Sequence, residues 1–142
     1  MDKQFNISHD DFKKSLLWAS DFYDGPLSGA IKISDKMYWF KCVQHYEVAT
    51  DEFDEGGEQI FESYRVFLIY DCPTDWWTPV LQKHEDFCRL VGEHHNYKNG
   101  VRGTAFVDKG TCGEFYTKYK DFKQPGLKDD WIVGKCDSRC RN

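Results

Sequence analysis

A chain of 142 residues with a net charge of -5 has the size of one ordinary domain, expected to span residues 1–142. Eleven Phe, eight Tyr and five Trp supply a core despite a mean hydropathy of -0.70, which argues against disorder over most of the length. The longest apolar run, Val66-Phe67-Leu68-Ile69-Tyr70, is far too short to span a bilayer, and the start MDKQFNISHDDFKK carries no stretch of signal-peptide length.

These features point to a cytoplasmic protein whose six cysteines are thiols. In a secreted chain the same cysteines would offer many pairings, and Asn6-Ile7-Ser8 would be a glycosylation sequon.

In chain order, Ser8 is placed to cap a helix, with Asp10 and Asp11 in its first turn. Phe12, Leu16, Ala19 and Tyr23 recur at helical spacing, which carries that helix to Asp24-Gly25-Pro26. Leu27–Ile33 and Met37–Tyr46 read as two strands joined by a tight turn at Ser34-Asp35-Lys36. The stretch from Glu47 to Glu58 is too polar for a core element and reads as a loop. Ile60–Tyr70 is the clearest strand, and its second half is apolar on both faces, as a central strand requires.

Thr78-Pro79 looks like a cap followed by proline at the first helical position. Val80, Leu81, His84, Phe87, Cys88 and Val91 then form an apolar stripe that Gly92 terminates. Glu93–Gly100 reads as loop. Val101–Val107, Gly113–Phe122 and Asp130–Lys135 are weaker strand candidates. Runs of strands without alternating βα units argue for an α+β fold: an antiparallel, aromatic-rich sheet with two helices packed against it.

Motifs for catalysis are sparse. Cys112, Cys136 and Cys140 with His94 and His95 resemble a zinc set, yet the C-x3-C spacing lacks a second close pair, so no metal or cofactor is expected. Cys42, Cys72 and Cys88 read as small buried hydrophobes. His84, His94 and His95, with nearby Asp or Glu, could serve a small hydrolase in a cleft near the second helix. That reading requires one of the imidazoles to reach a carboxylate in a concave pocket. Neither a nucleophile elbow, a phosphate loop nor a dinucleotide fingerprint occurs.

Lysines near the C-terminus interleave with Phe115, Tyr116, Tyr119 and Phe122, a pattern compatible with nucleic acid, but the overall acidity argues against it. Tyr23, Asp24, Trp76 and Trp77 are candidates for an aromatic ligand pocket; the plainer role for the tryptophans is to fasten the second helix onto the sheet.

One segment stands apart in charge. Residues 42–64 contain Glu47, Asp51, Glu52, Asp54, Glu55, Glu58 and Glu62 and no Lys or Arg. Asp51, Glu52, Asp54, Glu55 and Glu58 are therefore the candidate partner-binding residues. The expectation is a non-enzymatic protein that binds, and could inhibit, a protein partner with a basic surface.

Overall fold

The computed structural model of the chain describes residues 5–22, 25–107 and 109–140. Its class is the expected mixture of helices with a mostly antiparallel sheet, but three helices are present, and the sheet reaches further along the chain than the strand pattern indicates. The strands are β1 (Phe5–Asn6), β2 (Leu16–Phe22), β3 (Pro26–Ile33), β4 (Lys36–Phe53), β5 (Gln59–Tyr70), β6 (Tyr97–Lys98), β7 (Val101–Arg102) and β8 (Ile132–Cys140). Helices are α1 (His9–Ser15), α2 (Thr74–Leu90) and α3 (Cys112–Lys118). The main sheet has six strands in the order β1-β8-β5-β4-β3-β2; all its pairings are antiparallel except β1 with β8. Strands β6 and β7 form a separate small hairpin.

Strand alternation divides the core in two. On one face Phe40, Phe67, Ile69, Ile31 and Cys136 pack against Phe12 of α1. Phe40 sits edge-on to Phe12 at 5.0 Å and to Phe67 at 5.7 Å between ring centroids. On the other face Trp39, Ala30 and Tyr70 meet Trp76, Trp77 and Val80 of α2. Trp39 contacts both tryptophans edge-on, with centroids 5.2 and 6.0 Å away. Such edge-to-face pairs add to the gain from burial alone.

The first helix is shorter than its periodicity suggests. Ser8 caps it, accepting from Asp11 N at 3.1 Å, and the Ser15 hydroxyl donates to Phe12 O at 2.7 Å. Beyond Ser15 the chain turns into β2, because residues 16–22 cover the edge that β3 would otherwise expose. A register shift between Leu16 and Trp18 lets Leu16 pack on the α1 side and Trp18 on the α2 side. Bulges re-aim side chains in this way.

The hairpin turn at Ser34 and Asp35 is as expected: both residues have positive φ (51° and 67°), the geometry that matches strand twist. The expected loop Glu47–Glu58 is a correction. Strand β4 continues to Phe53, and β5 returns from Gln59, so most of the acidic stretch is a paired ribbon. Tyr46 and Ala49, opposite Tyr64 and Phe61, with Val48 between them opposite Glu62, supply the strand-forming residues that the carboxylates obscure.

Helix α2 begins at Thr74, one turn before the expected cap, and carries Pro79 inside it. The earlier start places Trp76, Trp77, Val80 and His84 together toward the sheet. Gly113–Phe122, expected as strand, is instead α3 and the turn after it. Cys112, Phe115 and Tyr119 follow helical spacing and pack on Leu90 and Val91. A buried carboxylate also holds α3: Asp86 meets Lys118 Nζ at 2.8 Å, the Tyr119 hydroxyl, and Arg89 Nη2 at 3.1 Å. Lys118 and Tyr119 hold this carboxyl well below the usual carboxylate range. Strand β8 extends past the expected Lys135 to Cys140 because β5 offers it a continuous partner. Among the described residues, no helix is long and apolar enough to cross a membrane.

Candidate functional site

Two features exceed what the core requires: an aromatic cleft beside α2 and the acidic β4–β5 ribbon. The cleft starts from the stripe Val80, His84 and Phe87 on α2, which faces Trp18 and Trp39 of the sheet. The His84 ring lies parallel to the Trp18 indole, with centroids 3.8 Å apart and planes 10° apart. Gly92 then turns the chain sharply, at φ 140°, and a Cβ there would stand 2.5 Å from Ala105 O. Only glycine allows that approach, which delivers His94 and His95 to the cleft wall.

His95 O accepts from Ala19 N at 2.9 Å, so the segment is bonded to β2. His94 stacks on Phe106 at 4.1 Å and lies 4.3 Å from the His95 ring. The narrower end has a volume of about 260 Å³. It continues into a wider hollow through Ser20, Trp39, Lys83, Phe122 and Gln124, which line both. Asp21, Lys41 and Asp129 stand around that wider mouth.

The cleft is set up for neutral imidazoles. Burial pushes His84 down to about 4. His94 is lowered by burial and then by the Arg102 charge; His95 is lowered by burial, by His94 and by Arg102. At each of His94 and His95 the Nδ1 atom is buried without a hydrogen-bond partner, and so is the Trp39 indole Nε1.

A histidine whose folded pKa is depressed stabilises the fold fully above its unfolded value near 6.5, and that stability is lost as pH falls toward 4. For His84 the loss is on the order of 2 kcal/mol once screening at its solvent edge is allowed for. Urea midpoints measured between pH 7 and pH 4.5 should therefore fall less steeply in His84→Gln than in the parent protein.

The cysteine beside this site is not primed as a nucleophile. Cys88 Sγ lies 3.4 Å from His84 Nε2 and receives Asn96 Nδ2 at 3.5 Å. Activation requires a thiolate beside an imidazolium. Here burial raises the thiol and lowers the imidazole, so the resting pair is neutral. His84, His94 and His95 do line one concave cavity, as the hydrolase reading required. Among the described residues, however, none of them hydrogen-bonds a carboxylate.

Other candidates fall elsewhere. Trp76 and Trp77 are core residues, 4% and 8% exposed, and neither lines the cleft. Trp76 Nε1 is satisfied by Pro125 O at 3.0 Å, which fastens α2 to the loop after α3. Tyr23 and Asp24 lie outside the described residues. Cys112 packs beside α2 whereas Cys136 is buried on the α1 side of the sheet, so the zinc set is not assembled by these two. Burial pushes the Cys72 and Cys136 thiols up to about 12, in keeping with small apolar residues. Among the described residues no group of three or more His, Cys, Asp or Glu side chains is placed to hold a metal ion.

The ribbon brings the predicted carboxylates together. Asp51, Glu52, Asp54, Glu55 and Glu58 are all exposed at its tip. Asp54 also closes the turn, its Oδ1 accepting from Gly56 N and Glu58 N, each at 2.9 Å. Thr50 Oγ1 donates to Ile60 O at 2.7 Å across the irregular stretch before it. Interleaved with the carboxylates are exposed Val48 (45%), Phe61 (53%) and Phe53 (62%). Tyr46 stacks on its cross-strand neighbour Tyr64 at 5.3 Å, and the Tyr64 hydroxyl donates to Glu62 at 2.8 Å.

Sequence reasoning locates the carboxylates and all three histidines. It misses Trp18, Trp39, Lys83 and Phe122 as cleft residues. Only the spacing of Lys83 and Phe87 around His84 signals their shared helix side. Comparison with family models, with curated proteins and with solved structures finds no match to this chain.

Proposed function

We propose that this protein is a non-enzymatic interaction protein that binds a protein partner with a basic surface through the β4–β5 ribbon, and in doing so inhibits it. The observation that carries the reading is the coincidence of charge and apolar exposure on one ribbon. Residues 42–64 contain seven carboxylates and no Lys or Arg, and the same strands expose Val48, Phe53, Ile60 and Phe61. Carboxylates steer a cationic surface toward the ribbon and reject anionic ones. Exposed aromatic and aliphatic side chains then supply the desolvated contacts that hold it. A monomer gains nothing in stability from leaving such side chains in water.

The test is capture from the source cells with the parent protein and with a ribbon carrying Asp51→Lys, Glu52→Lys, Glu55→Lys and Glu58→Lys. Asp54 is kept because its carboxylate closes the turn, so the variant retains the ribbon. The expected result is one basic protein held by the parent and weakened on the order of a hundredfold or more by the reversal. Capture that is unchanged by the reversal, at low and at high salt, would defeat the proposal.

A further inference from the structure

Strand β4 runs from Lys36 to Phe53, but β3 pairs only with its residues 36–41. Strand β3 cannot follow it further, because it begins at Pro26, which has no N–H to give to a ladder. A register shift between Cys42 and Gln44 adds local twist at the same point. Among the described residues, no strand pairs with β4 residues 42–53 on the side away from β5. Within that edge, residues 44–49 pair one for one with β5, a regular run of about 20 Å. All of residues 43–49 are exposed. The outer strands of the sheet, by contrast, are met. Asn96 bridges to Trp18 of β2, and β1 lies along Gly134 and Lys135 of β8.

Open edges recruit other strands, and proteins commonly blunt them with lysine or proline. This edge has neither. It has acid instead: Glu47 within the regular run, with Asp51 and Glu52 just beyond it. Two such edges brought together would set carboxylates against carboxylates, which disfavours a second copy of this chain as the occupant. A cationic strand meets no such repulsion. Alternation then sorts the side chains. Tyr46 and Val48, 37% and 45% exposed, share one face, where Tyr64 stacks on Tyr46. His45, Glu47 and Ala49 lie on the other face, where Arg65, opposite His45, is buried.

We propose that the partner binds by strand addition: an extended segment of alternating apolar and basic residues pairs its backbone with β4 along residues 44–49. Its apolar side chains lie beside Tyr46 and Val48. Its lysines or arginines lie on the Glu47 side and toward Asp51 and Glu52 at the tip. Main-chain hydrogen bonds hold the segment, and the alternation of its side chains selects it. The inference rests on the ribbon being the partner-binding surface and adds the mode of binding and the chemistry of the bound segment.

The probe is a synthetic nonapeptide of alternating lysine and valine, blocked at both ends. Its control is the same peptide N-methylated at every residue, which keeps the charges and side chains but has no backbone donor. Titrated into the ¹⁵N-labelled chain, the unmethylated peptide should bind saturably and slow hydrogen exchange at alternate backbone amides within residues 44–49. The N-methylated peptide should bind weaker by about tenfold or more, as expected when several hydrogen bonds are lost. Equal binding of the two peptides, protection confined to residues outside 43–53, or no saturable binding would each overturn strand addition. A free chain that sediments as a dimer with residues 44–49 already protected would overturn it too, by giving the edge to a second copy. Both peptides leave the chain unaltered, so no outcome depends on a variant folding. Failure here is distinct from failure of the ribbon reading. Partner capture weakened by the charge reversal, with the two peptides binding alike, would remove strand addition and keep the ribbon; capture unchanged by the reversal would remove the ribbon itself.

Discussion

Replacing Phe40 with alanine should lower the free energy of unfolding by about 3–5 kcal/mol, the range for truncating a large buried aromatic. Phe40 is fully buried, with Phe12 on one side and Phe67 on the other, so its loss leaves a space bounded by α1 and by two strands. Strand β4 cannot collapse into that space, because it is paired with both β3 and β5 there. The whole stability of a domain of this size is only about 5–15 kcal/mol, so the variant should sit close to unfolding at room temperature. Urea denaturation checks the value. A loss below about 1 kcal/mol would mean that the α1-side cluster is not a tightly packed core.

Gly29→Ala should be of comparable severity, by a different route. A Cβ on Gly29 would stand 2.1 Å from Trp18 O and 2.9 Å from Ala19 Cα, both main-chain atoms that no rotamer change can move. Strand β2 would have to shift off β3, at a cost of about 3 kcal/mol, the upper part of the usual range for overpacking. The two variants separate core stability from cleft geometry. Phe40→Ala faces away from the cleft and should leave the stacked Trp18 and His84 rings in place wherever the protein remains folded. Gly29→Ala moves the strand that carries Trp18, Ala19 and Ser20, all of them cleft residues. Aromatic ring-current shifts of His84, compared under folding conditions, should change in the second variant alone.

How much of the fold is legible follows from which interactions are local. The Ser34-Asp35 turn, strands β3 and β5, and the end of α2 at Gly92 are written in nearby residues, and they appear where expected. The first helix ends early because β2 exists to pair with β3, a requirement that residues 16–22 do not announce. Their spacing satisfies a helical stripe equally well; the register shift at Leu17 is what lets a strand bury Leu16 on the α1 side and Trp18 on the α2 side. Helix α3 is hidden by Phe115 and Tyr116, which read as strand formers until Leu90 and Val91 supply a surface for one helical face.

The acidic ribbon is obscured for the opposite reason. Its carboxylates suggest a solvated loop, but pairing with β5 needs only alternate apolar residues, and these are present. The candidate partner residues nonetheless share one exposed tip. The cleft is least legible, because its walls come from β2, β4, α2, α3 and two loops, and no local pattern records that convergence. His84 illustrates the difference: periodicity places it on the apolar stripe, whereas its stacking on Trp18 depends on a strand 66 residues earlier in the chain.

Under the proposed function, ribbon carboxylates contact a cationic protein surface. Zero-length carbodiimide coupling joins a carboxylate only to an amine in direct contact with it, so it reads that contact without an intervening spacer. Applied to the captured complex and followed by peptide sequencing, it should link Asp51, Glu52, Glu55 or Glu58 to lysines of the partner. Links confined to carboxylates away from the ribbon, such as Asp11, Glu114 or Asp121, would rule out the ribbon as the binding surface.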